Sequence, residues 1–287
     1  MSRRFSKIYF EITNQCNAAC SFCPGTTREK HFVSMKEFDC VLSKLAGRAD
    51  FLYFHLMGEP LLHPDICAFA EKASRQGFKV MITTNGLLAD TRGRELVDTG
   101  KVFKLSISLH SFEANRYGIA LEDYLKSCFS LAERASERGT LTALRLWNLG
   151  SAEDGTESNL FNEKVIVAAK EYFGDVWIKN RSGFCIGKGI YLEWGEHFDW
   201  PGYAKINEGK QFCHALRLQM GILCDGTVVP CCLDSEGEIA LGNIFDSDID
   251  EILSGERALR LYNGFTAGFA SEDICKRCGF ARRFSAT

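Results

Sequence analysis

No stretch of this chain approaches the ~18 consecutive apolar residues of a membrane-spanning helix. Nor does the amino end carry the apolar core of a secretion signal, because Met1 to Lys7 is polar and runs straight into a β-rich segment. An excess of basic charge is missing too. Against 37 Asp and Glu stand 34 Lys and Arg, a net charge of −3 with the signs interspersed. No basic stripe is left to hold a polynucleotide by its phosphates, so a nucleic-acid partner gains no support. Internal repeats and low-complexity tracts are absent. A need for disulfides is lacking as well, since a chain of 287 residues buries about 75% of its unfolded surface without cross-links. These absences predict a cytoplasmic protein with no membrane association.

What the sequence does have is thirteen cysteines, unevenly placed, with three in positions 16–23 and six in positions 213–278. Such clustering in a chain that needs no disulfides argues for metal ligation in a reducing compartment. The first group reads Cys16-Asn-Ala-Ala-Cys20-Ser-Phe22-Cys23 and follows an apolar strand. Three thiolates at this spacing can take three corners of a 4Fe–4S cube and leave the fourth iron open to a small molecule. A zinc knuckle is the alternative.

The first two-thirds of the chain alternates β-rich runs with amphipathic stretches, the pattern of βα units around a parallel sheet. The spacing predicts strands at 7–13, 51–56, 79–84, 104–109, 142–148 and 175–179, with helices at 35–46, 65–76, 90–99, 121–138 and 162–173. Six units are too few for a closed eight-fold barrel. From about Arg181 to Lys210 there is no clean period, which suggests a linker or lid. Beyond it, 216–223 and 227–229 read as a hairpin turned by Asp225-Gly226, followed by a helix at 248–263. The organisation expected is therefore a barrel over 1–180, a linker over 181–210 and a small domain over 211–287.

In that small domain Cys213, Cys231, Cys275 and Cys278 form the second strong signal. The hairpin brings the first two together, and one turn brings the second pair. Four thiolates without histidine suit either tetrahedral zinc or a fully ligated cube. Cys224 and Cys232 fall outside this set and read as small buried or partly exposed residues, though either could substitute as a ligand; Cys40, Cys67 and Cys128 read as helix positions in the core, and Cys185 as a lid position.

The CxxxCxφC motif, with Phe22 as the aromatic, resembles the signature of the radical S-adenosylmethionine (SAM) superfamily. The C-terminal spacing resembles the twitch domain, a shortened form of the SPASM domain. Together these resemblances imply a partial, open (β/α)6 TIM-like barrel with a small auxiliary domain. They also imply reductive cleavage of SAM to a 5′-deoxyadenosyl radical, and a second, auxiliary 4Fe–4S cluster on Cys213, Cys231, Cys275 and Cys278. Met57-Gly58-Glu59-Pro60 resembles the Gly-Gly-Glu-Pro motif, which implies that Gly58 and Glu59 hold the SAM ammonium; Met57 departs from the first glycine. By the same resemblance Phe22 flanks the adenine, Asn85 lies among the polar SAM contacts, Ser108 meets the ribose and Arg145 the methionine carboxylate. An internal salt bridge is the other reading of Arg145. His110, at the end of the fourth strand, is a candidate acid–base group because its side chain titrates near neutrality. Glu11, Asn14, His55, Met57 and Asn148 are expected at the same end of the barrel.

The partners expected are a small-molecule substrate or short peptide, and a flavodoxin or ferredoxin-type electron donor. Hydrogen-atom abstraction from a small-molecule substrate, with the auxiliary cluster assisting oxidation or substrate positioning, leads the functional expectations. A redox-neutral lyase of the queuine-lyase kind, a ribosomal-peptide maturase and a non-enzymatic zinc or Fe–S module are the alternatives. The short stretch before the first strand leaves little room for a peptide-recognition domain, which lowers the maturase reading.

Overall fold

The computed structural model describes residues 4–149 and 160–284. In chain order the elements are β1 (Phe5–Phe10), α1 (Met35–Leu45), β2 (Ala49–Tyr53), α2 (Ile66–Arg75), β3 (Lys79–Thr84), α3 (Arg94–Asp98), β4 (Val102–Ser108), α4 (His110–Glu113), α5 (Leu121–Glu137), β5 (Leu141–Leu149) and α6 (Leu160–Phe173). Then follow β6 (Ile178–Lys179), β7 (Gly183–Gly187), β8 (Ile190–Glu196), β9 (Gln219–Ile222), β10 (Thr227–Val229), β11 (Gly242–Asn243), α7 (Ile249–Ser254), α8 (Glu256–Ala267) and α9 (Asp273–Lys276).

One eleven-stranded sheet runs β11-β10-β9-β1-β2-β3-β4-β5-β8-β7-β6. Strands β1 to β5 and β8 are mutually parallel, and the helices cover one face, as the βα alternation requires. These six strands form the open (β/α)6 barrel. The helix faces are apolar at helical spacing: Phe38, Val41, Leu42 and Leu45 of α1, and Leu125, Cys128, Phe129 and Ala132 of α5, are all buried. A capping box starts α1, with Ser34 and Glu37 bonding each other's backbone N–H groups.

Three expectations need correction. The sixth parallel strand is β8, not the 175–179 segment. Ile178 and Lys179 instead form a short antiparallel edge beside β7, with Ile178 70% exposed. The region from Arg181 to Lys210 is therefore not simply a linker, since β7 and β8 lie inside it. The helix expected at 248–263 is broken at Gly255 into α7 and α8. The hairpin stands where Asp225-Gly226 puts it, with Gly226 at φ +85°. It is not a detached unit, because β9 pairs in parallel with β1 and extends the barrel sheet.

Candidate active site

The cysteine loop leaves the end of β1 and is closed at its base by side chains. Asn14 donates to the Glu29 carbonyl at 2.8 Å and accepts from the His31 N–H at 2.9 Å. Thr13 Oγ1 donates to the His31 carbonyl at 2.8 Å. Across the barrel mouth, Asn115 accepts from the Ala19 N–H at 2.8 Å and donates to Cys20 Sγ at 3.0 Å. Burial raises all three thiols of the loop, Cys16 to about 11, so without a bound cation they stay protonated.

Gly58 is fixed by contact. At φ +77° a Cβ there would lie 2.3 Å from the Thr13 carbonyl oxygen, so only glycine lets the second strand's loop meet the cysteine loop this closely. The next N–H, of Glu59, donates to the Gln15 carbonyl at 2.7 Å. The Glu59 carboxylate is buried and accepts from the N–H groups of Leu61 (3.0 Å) and Asn85 (2.7 Å). Burial nevertheless raises its pKa to about 7. Asn85 in turn donates to Asn17 at 2.8 Å and accepts from the Leu87 N–H at 3.0 Å. Glu59 and Asn85 thus brace the loops that frame the cysteines.

These residues line an outer chamber of about 510 Å³, together with Cys16, Cys20 and Cys23. Next to it an inner chamber of about 560 Å³ is lined by Tyr9, Arg145, Trp147 and Phe280 among others. The two share a wall of Phe22, His55, Leu56, Thr83, Ser108, His110 and Trp200. Phe22 sits 5.1 Å from the His110 ring and 5.8 Å from the His197 ring. Its carbonyl accepts from Trp200 Nε1 at 2.9 Å. Ser108 stands on the wall at the end of β4.

His110 is held by Nδ1, 3.0 Å from the Arg145 carbonyl. A carbonyl only accepts, so Nδ1 carries the proton, and the Trp147 N–H, 3.4 Å from the same nitrogen, cannot also donate to it. Burial lowers the His110 pKa to about 4. The ring is neutral near pH 7, with Nε2 as its proton acceptor. Arg145 lies apart from the outer chamber and lines the inner one. Asn148 lines neither; it bonds Asn162 and Glu113.

In the C-terminal region Cys213 and Cys275 are each within electrostatic reach of Cys231, of Cys278 and of one another. Burial raises each of them, and neighbouring thiols push Cys213, Cys231 and Cys275 further. Cys213 rises to about 11. Cys275 and Cys278 occupy one turn, the Cys278 N–H donating to the Cys275 carbonyl at 3.3 Å. Among the described residues no three His, Cys, Asp or Glu side chains close on a point as the ligands of one metal ion do. A cube asks less closeness of its ligands, because each thiolate binds a separate iron. The donor sets suit that group: three thiols beside a chamber with room for a further ligand, and four thiols together.

Of the remaining cysteines, Cys224 faces the barrel, its N–H donating to Glu11 at 3.0 Å. Cys232 lines the inner chamber beside Tyr9 and is also within electrostatic reach of Cys213, Cys231 and Cys278. Cys128 is buried, whereas Cys40 and Cys67 are half-buried, and Cys185 sits on β7, outside both chambers. Sequence reading missed Asn115, Arg28 and Trp200. Asn115 and Trp200 act across the fold from the motif, and no local spacing announces them.

A family model described as the radical SAM superfamily matches residues 10–144, and a second, the SPASM iron–sulfur cluster-binding domain, matches residues 213–279. The chain belongs to the radical SAM superfamily. SAM and 4Fe–4S clusters are the cofactors that go with these two matches, and the SPASM match covers the second cysteine group.

Among curated relatives, the tungsten-containing aldehyde ferredoxin oxidoreductase cofactor-modifying protein of Pyrococcus furiosus is 33% identical over 99 residues. That match covers 32% of this chain but only 28% of the relative. The S-adenosyl-L-methionine-dependent 2-deoxy-scyllo-inosamine dehydrogenase of Niallia circulans is 21% identical over 97% of this chain and 94% of its own. The solved structure of BtrN in complex with AdoMet and 2-DOIA superposes with a TM-score of 0.61 at 18% identity, covering 97% of this chain and 94% of that one. That likeness shows the fold. No helix among the described residues is long and apolar enough to cross a membrane.

Proposed function

We propose that this radical SAM enzyme oxidises a small molecule bound in the inner chamber, with SAM in the outer one. The observation that carries the reading is the shared wall: the chamber holding Cys16, Cys20, Cys23, Gly58 and Glu59 opens beside a second cavity that contains none of them. When bound, the reduced first cluster and SAM supply a 5′-deoxyadenosyl radical that takes a hydrogen atom from a neighbouring substrate. The chain's own residues do the rest. Cys16, Cys20 and Cys23 would hold the first cluster. The Gly58-Glu59 backbone and the Glu59 carboxylate would frame the SAM ammonium, Ser108 would face its ribose and Phe22 its adenine. Asn85 fixes the loop between them. Trp200 and Phe22 screen the wall from water, which matters because a free radical is quenched by whatever reaches it.

Loss of a second electron and a proton from the substrate completes an oxidation. His110 Nε2 would accept the proton. Cys213, Cys231, Cys275 and Cys278 would hold a second cluster that supplies an electron acceptor. The full-length relative from Niallia circulans is a dehydrogenase, which supports oxidation over a redox-neutral cleavage. A flavodoxin or ferredoxin-type protein would deliver the initiating electron.

The test is anaerobic reconstitution, dithionite and SAM, followed by chromatography for 5′-deoxyadenosine and methionine. Their release in equal amounts supports the reading. Intact SAM in protein that carries its iron would refute it.

A further inference from the structure

Some polar atoms of the inner chamber, Arg145 Nε and His55 Nδ1, are buried without a hydrogen-bond partner. Arg145 of β5 lies against the Trp147 ring, its guanidinium carbon 4.5 Å from the centroid. Its side chain is 17% exposed, and its nearest carboxylate oxygen, on Glu193, is 3.9 Å from Nε. That Nε is buried with no hydrogen bond. Glu193 is shared, because its other oxygen accepts from Lys104 at 3.2 Å. Lys7 of β1 lines the same chamber, and its ammonium has no ion pair among the described residues. It lies over the rings of Tyr9 and Tyr53, 5.5 and 5.9 Å from their centroids. His55 Nδ1 is buried beside them, also unpartnered. Glu196 reaches only the exposed rim. Two cations of the chamber lining, Arg145 and Lys7, therefore have between them one carboxylate within ion-pair distance among the described residues, Glu193, and Lys104 shares it.

A guanidinium taken out of water with its donors unpaired is costly, and a planar oxyanion is the group that satisfies two of its N–H donors at once. Lys7, which like Arg145 acts electrostatically on His55, adds a point charge to the same chamber. We propose that the inner chamber recognises an anionic small molecule, whose carboxylate or phosphate is held by Arg145 and Lys7 and whose remainder lies against Trp147 and Phe22. This rests on the reading of that chamber as the substrate site, and it names the substrate's chemical class. It also moves Arg145 from the SAM carboxylate to the substrate, in line with its absence from the outer chamber.

The test titrates the reconstituted, SAM-loaded protein by calorimetry with three probes of similar size: 3-phenylpropionate, phenethyl phosphate and 3-phenylpropan-1-ol. At least one anion should bind about tenfold or more tighter than the alcohol, the worth of one charge-assisted hydrogen bond. Which anion wins distinguishes a carboxylate substrate from a phosphate. Arg145→Gln and Lys7→Met should each remove most of that preference and leave the alcohol's affinity unchanged, with Arg145→Lys recovering part of it. Equal binding of alcohol and anions by the wild type overturns the proposal, as does a full preference in both variants. Weakened SAM binding in Arg145→Gln with the anion preference intact would return the arginine to the cofactor and overturn it too. Release of 5′-deoxyadenosine by the wild type is a separate assay, so failure of the radical reading is distinguishable from failure of this one.

Discussion

Arg28 places one guanidinium nitrogen 2.8 Å from each carboxylate oxygen of Glu11. Glu11 is fully buried, and it also accepts from the N–H groups of Met57 at 3.1 Å and Cys224 at 3.0 Å. Arg28 continues to the Ser235 carbonyl at 2.9 Å. One carboxylate therefore ties together the cysteine loop, the loop after β2 and the C-terminal hairpin.

Glu11→Gln puts an amide NH2 where N–H donors already point, and Arg28→Met leaves a buried charge unpaired. Each should destabilise the protein by about 3–5 kcal/mol, the usual effect of breaking a buried pair. The double variant should lose less than the sum. Urea denaturation of the four proteins measures this; strict additivity would show that the two residues do not act on each other.

Gly58→Ala should be as damaging as a change this small can be. Left-handed backbone at a residue with a side chain costs about 1–3 kcal/mol, and the added methyl would press on the Thr13 carbonyl at 2.3 Å. The expected outcome is a lower melting temperature together with weaker SAM binding, because the loop after β2 must back away from the cysteine loop. Wild-type values for both would show that the contact relaxes freely.

The His110 prediction concerns pH. Burial lowers its folded pKa to about 4, below the ~6.5 of an unfolded histidine. The unfolded chain therefore takes up a proton first as pH falls. The stability His110 contributes is fully present above pH ~6.5 and is lost as pH drops through about 4. Between pH 7 and 4.5 the wild type should lose roughly 2–3 kcal/mol more than His110→Gln. Parallel curves for the two proteins would mean that the ring is solvated.

Iron counting separates the two cysteine groups. Cys275→Ala with Cys278→Ala should remove about four irons per chain and leave the first cluster's SAM-sensitive signal in place. Cys224→Ser should change neither, since that side chain faces Glu11 and Arg28. Unchanged iron in the double variant would count against an auxiliary cube.

Much of this fold was legible in sequence because its determinants are local. Helical apolar spacing located α1, α2, α5 and α6, and Asp225-Gly226 located the hairpin turn. Strand β8 was missed because Tyr191-Leu192-Glu193-Trp194-Gly195-Glu196 carries charges where a buried parallel strand ordinarily shows an apolar run. Those charges have a reason in three dimensions: Glu193 faces Lys104 and Arg145 inside the barrel. Site residues divide the same way. The cysteines and Gly58 announce themselves by spacing. Asn115 lies 95 residues from Cys20, and only the closed fold brings it to that sulfur. The sequence offers His110 as an acid–base candidate but not its protonation, because burial sets it.

The central claim is that the first cluster keeps one iron open toward the outer chamber for SAM. Electron–nuclear double resonance on the reduced, reconstituted protein tests it directly, using SAM labelled with 15N at the amino group and 17O at the carboxylate. The account predicts hyperfine coupling of both labels to the cluster, lost when Cys20 is replaced by alanine. A reduced cluster that shows no coupling to either label, with SAM saturating the protein, would contradict it.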